Sequence, residues 1–220
     1  MEDLKSLNET TSLFNERHSI AIRIWHWLFL LALSSILCTV LLTSTLFSTR
    51  GNVQLVQDQI QQKGGTVTPV QARAVAHAYS EKLWKIHISI GYSIAFLMLC
   101  RIIIEISHPK EDKLRNKVKR ALTLSVDDNV QKQDKRHYLF VKYGYLLFYL
   151  FILIMAISGI GLAMEENPFF RSIRRSLSTV HSFTQYLIYL YVLIHMIGVI
   201  RADLTDNKGM VSRMINGKLS

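Results

Sequence analysis

The sequence predicts an all-α fold, an integral membrane four-helix bundle with up-down transmembrane topology. Three observations carry that expectation. Half of the 220 residues are hydrophobic. The apolar residues are segregated from the charged ones, with no Asp, Glu, Lys or Arg from Ile24 to Thr49, from Tyr143 to Met164 or from Ser176 to Ile200. Only 3 prolines and 10 glycines interrupt the chain, so long helices are permitted. This composition excludes disorder, a collagen-like repeat and a disulfide scaffold. The 2 cysteines, Cys38 and Cys100, lie in apolar runs and read as small hydrophobes.

A helix needs about 20 apolar residues to cross the hydrocarbon core. The first span is placed at residues 20–47. Nineteen mixed polar residues precede it, its core exceeds a signal h-region, and no small-residue cleavage pattern follows. It is therefore read as a retained helix. The second span, 84–107, carries Arg101 and Glu105 in its last two turns, which gives it a buried soluble helix as its alternative reading. The third and fourth spans fall at 139–164 and 177–202. Between the first two, Thr68-Pro69 follows Gly64-Gly65 and marks a helix start, Thr at the cap and Pro at the first helical position. A helix from Pro69 through Lys82 would extend the second span beyond the membrane. The segment 109–137 is polar and is read as partly irregular. The chain is taken as a single membrane domain, 1–220, with an outer loop 48–83 and a basic cytoplasmic loop 108–138.

Charge orients the bundle. Lys+Arg 26 against Asp+Glu 16 leaves +10. The N-terminal tail, the segment 108–142 and the C-terminal tail, with Arg23 and Arg101, hold 18 of the cations, and the other side holds the remaining 8. An even number of crossings puts both termini on one side, and the positive-inside rule makes that side the cytoplasm. The expected location is the bacterial cytoplasmic membrane, with membrane lipid as a partner. The run from Lys113 to Arg120 also suits anionic headgroups. Nucleic acid is not an expected partner, because no aromatic residues are interleaved there for base stacking.

Eight histidines are present, at 18, 26, 77, 87, 108, 137, 181 and 195. His26, His87, His181 and His195 lie inside the spans, where ionisable side chains are costly and mark function. A histidine hydrogen-bonded to a neighbouring helix is the ordinary alternative for any one of them. His181 and His195 are 14 residues apart, which leaves them about 40° from the same helix face and about 21 Å apart along the axis. Topology then pairs His26 with His195 near the cytoplasmic side and His87 with His181 near the outer side.

Two imidazoles facing each other at two depths constrain the chemistry. Zinc gathers about four ligands at one level, and no Asp or Glu accompanies either pair. A proton relay favours a continuous chain of titratable groups. Haem iron takes one axial ligand on each face, so two bis-histidine haems fit the pattern. They would be of b type, since the chain has no C-x-x-C-H attachment motif.

The motifs carry a resemblance. Arg23-Ile24-Trp25-His26-Trp27 resembles the first-helix motif of bacterial cytochrome b561 proteins and of the cytochrome b subunits of nickel-iron hydrogenases. Trp84 to Tyr92 is similar to their second-helix motif, and Val180-His181 through His195-Met196-Ile197-Gly198 to their fourth, including the 14-residue spacing. The likeness implies that His26 and His195 hold a cytoplasmic haem b and His87 and His181 an outer one, as metal ligands. It further implies electron transport in a respiratory chain, between a quinone pool and a redox partner protein, as the membrane subunit of an oxidoreductase. A free-standing quinone-linked cytochrome b561 is the alternative, and a His-lined metal transporter a remote one. A homodimer is left open.

Secondary cofactor-binding candidates follow from helix geometry. Arg101, 14 residues after His87, and Arg23, one turn before His26, are candidates for a haem propionate; snorkelling to the interface is their alternative. Lys85 is a third candidate, near the outer pair. Gly91 and Gly198 leave room for a porphyrin or simply allow close helix packing, and Gly144, Gly159 and Gly161 share that ambiguity. Trp25, Trp27 and Trp84 read as interfacial anchors.

Overall fold

A computed structural model describes residues 19–109, 113–124, 129–205 and 210–217. In chain order the helices are α1 (Ile20–Ser44), α2 (Thr49–Gln62), α3 (Pro69–Ser107), α4 (Leu114–Thr123), α5 (Asn129–Ala163), α6 (Pro168–Ser172), α7 (Arg174–Leu204) and α8 (Met210–Asn216). No strand occurs among the described residues. Four of these, α1, α3, α5 and α7, are long and apolar enough to cross a membrane. Their outward faces show large apolar side chains, with Leu31 at 67% and Phe96 at 65% exposure, which a lipid surround would cover.

Contacts fix an up-down register. Trp25 of α1 meets Leu97 of α3 while Thr39 meets His87, and Phe148 of α5 meets Tyr191 of α7 while Ser158 meets His181. Both pairs of helices are therefore antiparallel. Packing runs α1–α3–α5–α7, and α1 and α7 barely touch among the described residues. We call the end where α1 begins and α7 finishes proximal, and the other end distal.

The third helix owes its length to its start. Thr68 Oγ1 accepts from Gln71 N while Gln71 Oε1 accepts from Thr68 N, a capping box with Pro69 at the first helical position. No breaker follows, so α3 runs 39 residues, about 58 Å at 1.5 Å per residue. Its first turns stand beyond the distal end. The loop 48–83 holds a helix that sequence patterning missed, α2. Ser48 caps its start. Its end closes in a Schellman turn, with Gly65 N on Ile60 O, Gly64 N on Gln61 O and Gly64 at φ 77. It packs on α3, whose extension buries the small face Ala72, Ala76 and Ser80.

The basic segment is more ordered than its polarity suggested. Within 109–137, read as partly irregular, α4 and the first turns of α5, which starts ten residues before the expected 139, are helical, while 109, 113 and 124 are not. Burial of Val118 and Ala121 supplies one reason. Charged caps supply the other. Glu105 Oε1 accepts from Leu114 N at the start of α4, and Lys135 Nζ donates to Leu122 O and Leu124 O at its end, each charge matched to the helix dipole. Residues 110–112 and 125–128 lie outside the described residues.

At the proximal end, α8 straps back onto α1. Arg23 Nη1 donates to Ile215 O at 3.0 Å and Trp27 Nε1 to Met214 O at 3.2 Å. Asp203 of α7 accepts from Val211 N.

A common cluster of buried apolar residues joins the membrane helices, with Leu33, Ile94, Ile152 and Ile188 halfway along the bundle and Trp25, Phe29 and Met98 toward the proximal end. Ile152, at 2% exposure, is the most enclosed of the four. Lipid tails are as apolar as this layer, so Ile152→Ala forfeits packing more than transfer. The expected loss is about 2 kcal/mol, the low end for such truncations, read as an earlier midpoint in an SDS unfolding titration. An unshifted midpoint would contradict the layer.

Candidate functional site

The distal level is built by one residue from each membrane helix. His87 of α3 and His181 of α7 have ring centroids 6.4 Å apart, their planes inclined by 71°. Thr39 of α1 and Ser158 of α5, both buried, stand behind them. Thr39 Oγ1 lies 3.0 Å from His87 Nδ1, and Ser158 Oγ lies 3.0 Å from His181 Nδ1.

The single hydroxyl protons decide the tautomers. Thr39 Oγ1 donates to Ile36 O at 2.6 Å, and Ser158 Oγ donates to Ile154 O at 2.7 Å. A carbonyl carries no proton, so each hydroxyl proton must lie in that contact. With their protons on those carbonyls, the hydroxyl oxygens face Nδ1 as acceptors, the arrangement that suits an Nδ1-protonated ring. A ring in that state presents the Nε2 lone pair, as a metal ligand must. Sequence reading missed Thr39 and Ser158. The available signal was a hydroxyl residue inside an uncharged run, 13 residues after His26 in one case and beside Gly159 in the other. Gly159 belongs to this level too: a Cβ there would stand 3.1 Å from His181 Cε1.

The proximal level holds His26 on α1 and His195 on α7. Among the described residues, ring-to-ring contact joins only the distal pair of histidines. His26 lies edge-on to Trp27 at 5.6 Å, and His195 lies parallel to Tyr191 at 6.2 Å. Tyr191 stacks in turn on Phe148 at 4.6 Å.

Beside them is a polar cluster. Arg101 is buried; its Nε donates to Tyr149 Oη at 3.0 Å and its Nη1 to Glu105 Oε2 at 3.1 Å. Its guanidinium also faces the rings of Tyr149 at 5.3 Å and Trp25 at 6.0 Å. Trp25, expected at the interface, is instead buried, stacked on Phe29 at 4.9 Å and donating from Nε1 to Leu97 O at 2.6 Å. The indole reaches from α1 to α3, so interhelical packing overrides the interfacial preference of tryptophan. Trp27 and Trp84 remain exposed. Lys142, buried against the rings of Tyr138 at 4.9 Å and Tyr145 at 5.7 Å, escaped sequence reading because it sits at the polar start of α5.

The other candidates are dispersed. Arg23 faces α8, with its guanidinium against Gly217 as well as on Ile215 O. Lys85 pairs with Glu81 at 3.0 Å on the exposed surface of α3 and holds that carboxyl below its ordinary value. A Cβ at Gly91 would be in ordinary van der Waals contact with Ile36, and one at Gly198 would meet open space. His108 Nδ1 lies 2.6 Å from Ile104 O at the end of α3, His77 and His137 are exposed, and His18 lies outside the described residues.

Glu105 serves two partners, Arg101 and the α4 backbone. Glu105→Gln preserves an acceptor for Leu114 N but removes the charge facing buried Arg101. The expected cost is about 1–3 kcal/mol, read as a lower SDS midpoint with faster proteolysis between α3 and α4. Wild-type values for both would contradict the coupling.

The family described as prokaryotic cytochrome b561 matches residues 17–217, nearly the whole chain. No curated protein and no solved structure matches at a significant level. With four apolar helices and a match of that extent, the chain belongs to the prokaryotic cytochrome b561 family and is a multi-pass bacterial membrane cytochrome b of electron transfer that binds b-type haem.

Proposed function

We propose that the chain holds two b haems, one between His87 and His181 and one between His26 and His195. Through them it carries electrons across the bilayer between a quinone pool and a redox partner, as the membrane subunit of an oxidoreductase. Both termini face the cytoplasm in this reading, supported by the 18 cations on the proximal side against 8 on the distal.

The distal pair carries the reading. Imidazole bonds a transition metal at about 2 Å, so two rings on opposite sides of one metal have centroids about 6 Å apart. His87 and His181 stand at 6.4 Å with their Nδ1 atoms committed to hydroxyls. The residues therefore fit the group. Gly159 contributes by leaving His181 the space it occupies. When bound, haem supplies a one-electron couple at each level. His87 with His181 and His26 with His195 would hold the two groups, which would supply one-electron exchange with quinone or partner. Between the levels the Leu33, Ile94, Ile152 and Ile188 layer excludes water. At the proximal level α1 and α7 carry the ligands and pack mainly on their other neighbours, an arrangement that admits a planar group between them. Arg101 answers to Glu105 and Tyr149 in the structure, and in this reading it steadies that level, with any propionate contact added to its existing partners.

Pyridine haemochrome analysis of the purified chain is expected to give two b haems. His181→Ala and His195→Ala should each remove one, at different levels; loss of the same haem in both, or no haem with stoichiometric zinc instead, overturns the proposal. Co-purification of a soluble oxidoreductase from the membrane tests the subunit role. Gly159→Ala pushes the His181 ring by a few tenths of an ångström, so haem of the distal level should bind about tenfold more weakly while the proximal haem stays. Equal retention of both would argue against the pairing.

A further inference from the structure

We propose that Thr39 and Ser158 are positioning residues of the distal level, which hold His87 and His181 as Nδ1-protonated ligands and tune the redox potential of the group between them. The inference rests on the bis-histidine reading above and goes beyond it.

Hydroxyl side chains in membrane helices commonly bond back to their own carbonyls, and both residues do so. The further contact is what distinguishes them. Thr39 reaches from α1 to the α3 histidine, and Ser158 from α5 to the α7 histidine, each at 3.0 Å, with the Met155 backbone as a second α5 partner of His181. Neither histidine is steadied by its own helix. Because each hydroxyl proton is spent on Ile36 O or Ile154 O, neither hydroxyl can donate to Nδ1, and the opposite tautomer would set a ring lone pair against an oxygen lone pair. The metal-facing nitrogen is thereby fixed as Nε2 on both sides.

Two properties follow. Donation from Nδ1–H to an acceptor makes an imidazole a more basic ligand, which favours the oxidised iron and lowers the potential. The same bond fixes each ring about its Cβ–Cγ axis, which preserves the 71° between the planes. Ring orientation splits the iron d orbitals, so it is legible in the low-spin EPR signal.

The test uses the purified full chain and the variants Thr39→Val, Thr39→Ser and Ser158→Ala. Haem content, equilibrium redox titration and EPR of the oxidised protein are measured for each. Thr39→Val and Ser158→Ala should leave the proximal haem unchanged. The distal haem should bind about tenfold less tightly, show a higher reduced-to-oxidised ratio at the same ambient potential, and shift its EPR signal. Thr39→Ser should restore all three. Loss of the distal haem in Thr39→Val with retention in Thr39→Ser supports the proposal equally. It is overturned if Thr39→Val and Ser158→Ala keep the wild-type potential and EPR signal, or if Thr39→Ser behaves as Thr39→Val. Wild-type protein without haem, or haem untouched by His87→Ala and His181→Ala, instead refutes the ligation reading.

Discussion

An imidazole inside an apolar bundle must satisfy its ring nitrogens there, and that requirement sets the register of all four membrane helices. Thr39 answers His87 and Ser158 answers His181, so α1 is locked to α3 and α5 to α7 by hydroxyl–imidazole contacts. The meeting of the two rings then joins the halves. Sliding any helix by one turn would move a partner about 5.4 Å and strand a polar group in hydrocarbon, where it costs several kcal/mol. Apolar packing tolerates such slips far better, because one aliphatic face resembles the next. The polar contacts specify, and the Leu33, Ile94, Ile152 and Ile188 layer fills the space they define.

The two ends of the bundle solve different problems. The distal level is lean, two rings and two hydroxyls. The proximal level carries a buried cation, balanced by Glu105, Tyr149 and the faces of Trp25 and Tyr149. That balance extends outward, since the carboxylate that neutralises Arg101 also caps α4. The order of the basic segment thus depends on a charge inside the membrane helix. Lys135 closes the other end of α4 in the same currency.

Some of this was legible from residue order. Uncharged runs mark the spans because a bilayer admits little else, and Thr68-Pro69 marks a helix start because the cap and the fixed φ act locally. The depths of the four histidines follow from rise per residue, and the structure sets His87 beside His181 as that arithmetic expects. What escaped depends on contacts made far along the chain. Thr39 looks like any membrane hydroxyl until α3 is folded against it. Trp25 has the composition of an interfacial residue, and only its bond to Leu97 reveals the buried role. α2 and α4 are short and polar; α2 is settled by the small face of α3 and α4 by side-chain charges from α3 and α5, partners that a local pattern does not contain. Arg101 stands out by its position in the sequence, while Glu105, one turn on, looks there like a blemish in the span.

The strap formed by α8 bears on how the protein is made. Arg23 and Trp27, in α1, have as backbone acceptors Ile215 and Met214, separated from them by 192 and 187 residues. During synthesis those two donors enter the interface without these acceptors, and they receive them only when the last segment emerges. Since α1 and α7 share little direct packing, that late contact is what draws the first and last helices together at the proximal end. α1 enters the membrane well before α8 is made, so closure at the proximal end waits for α8.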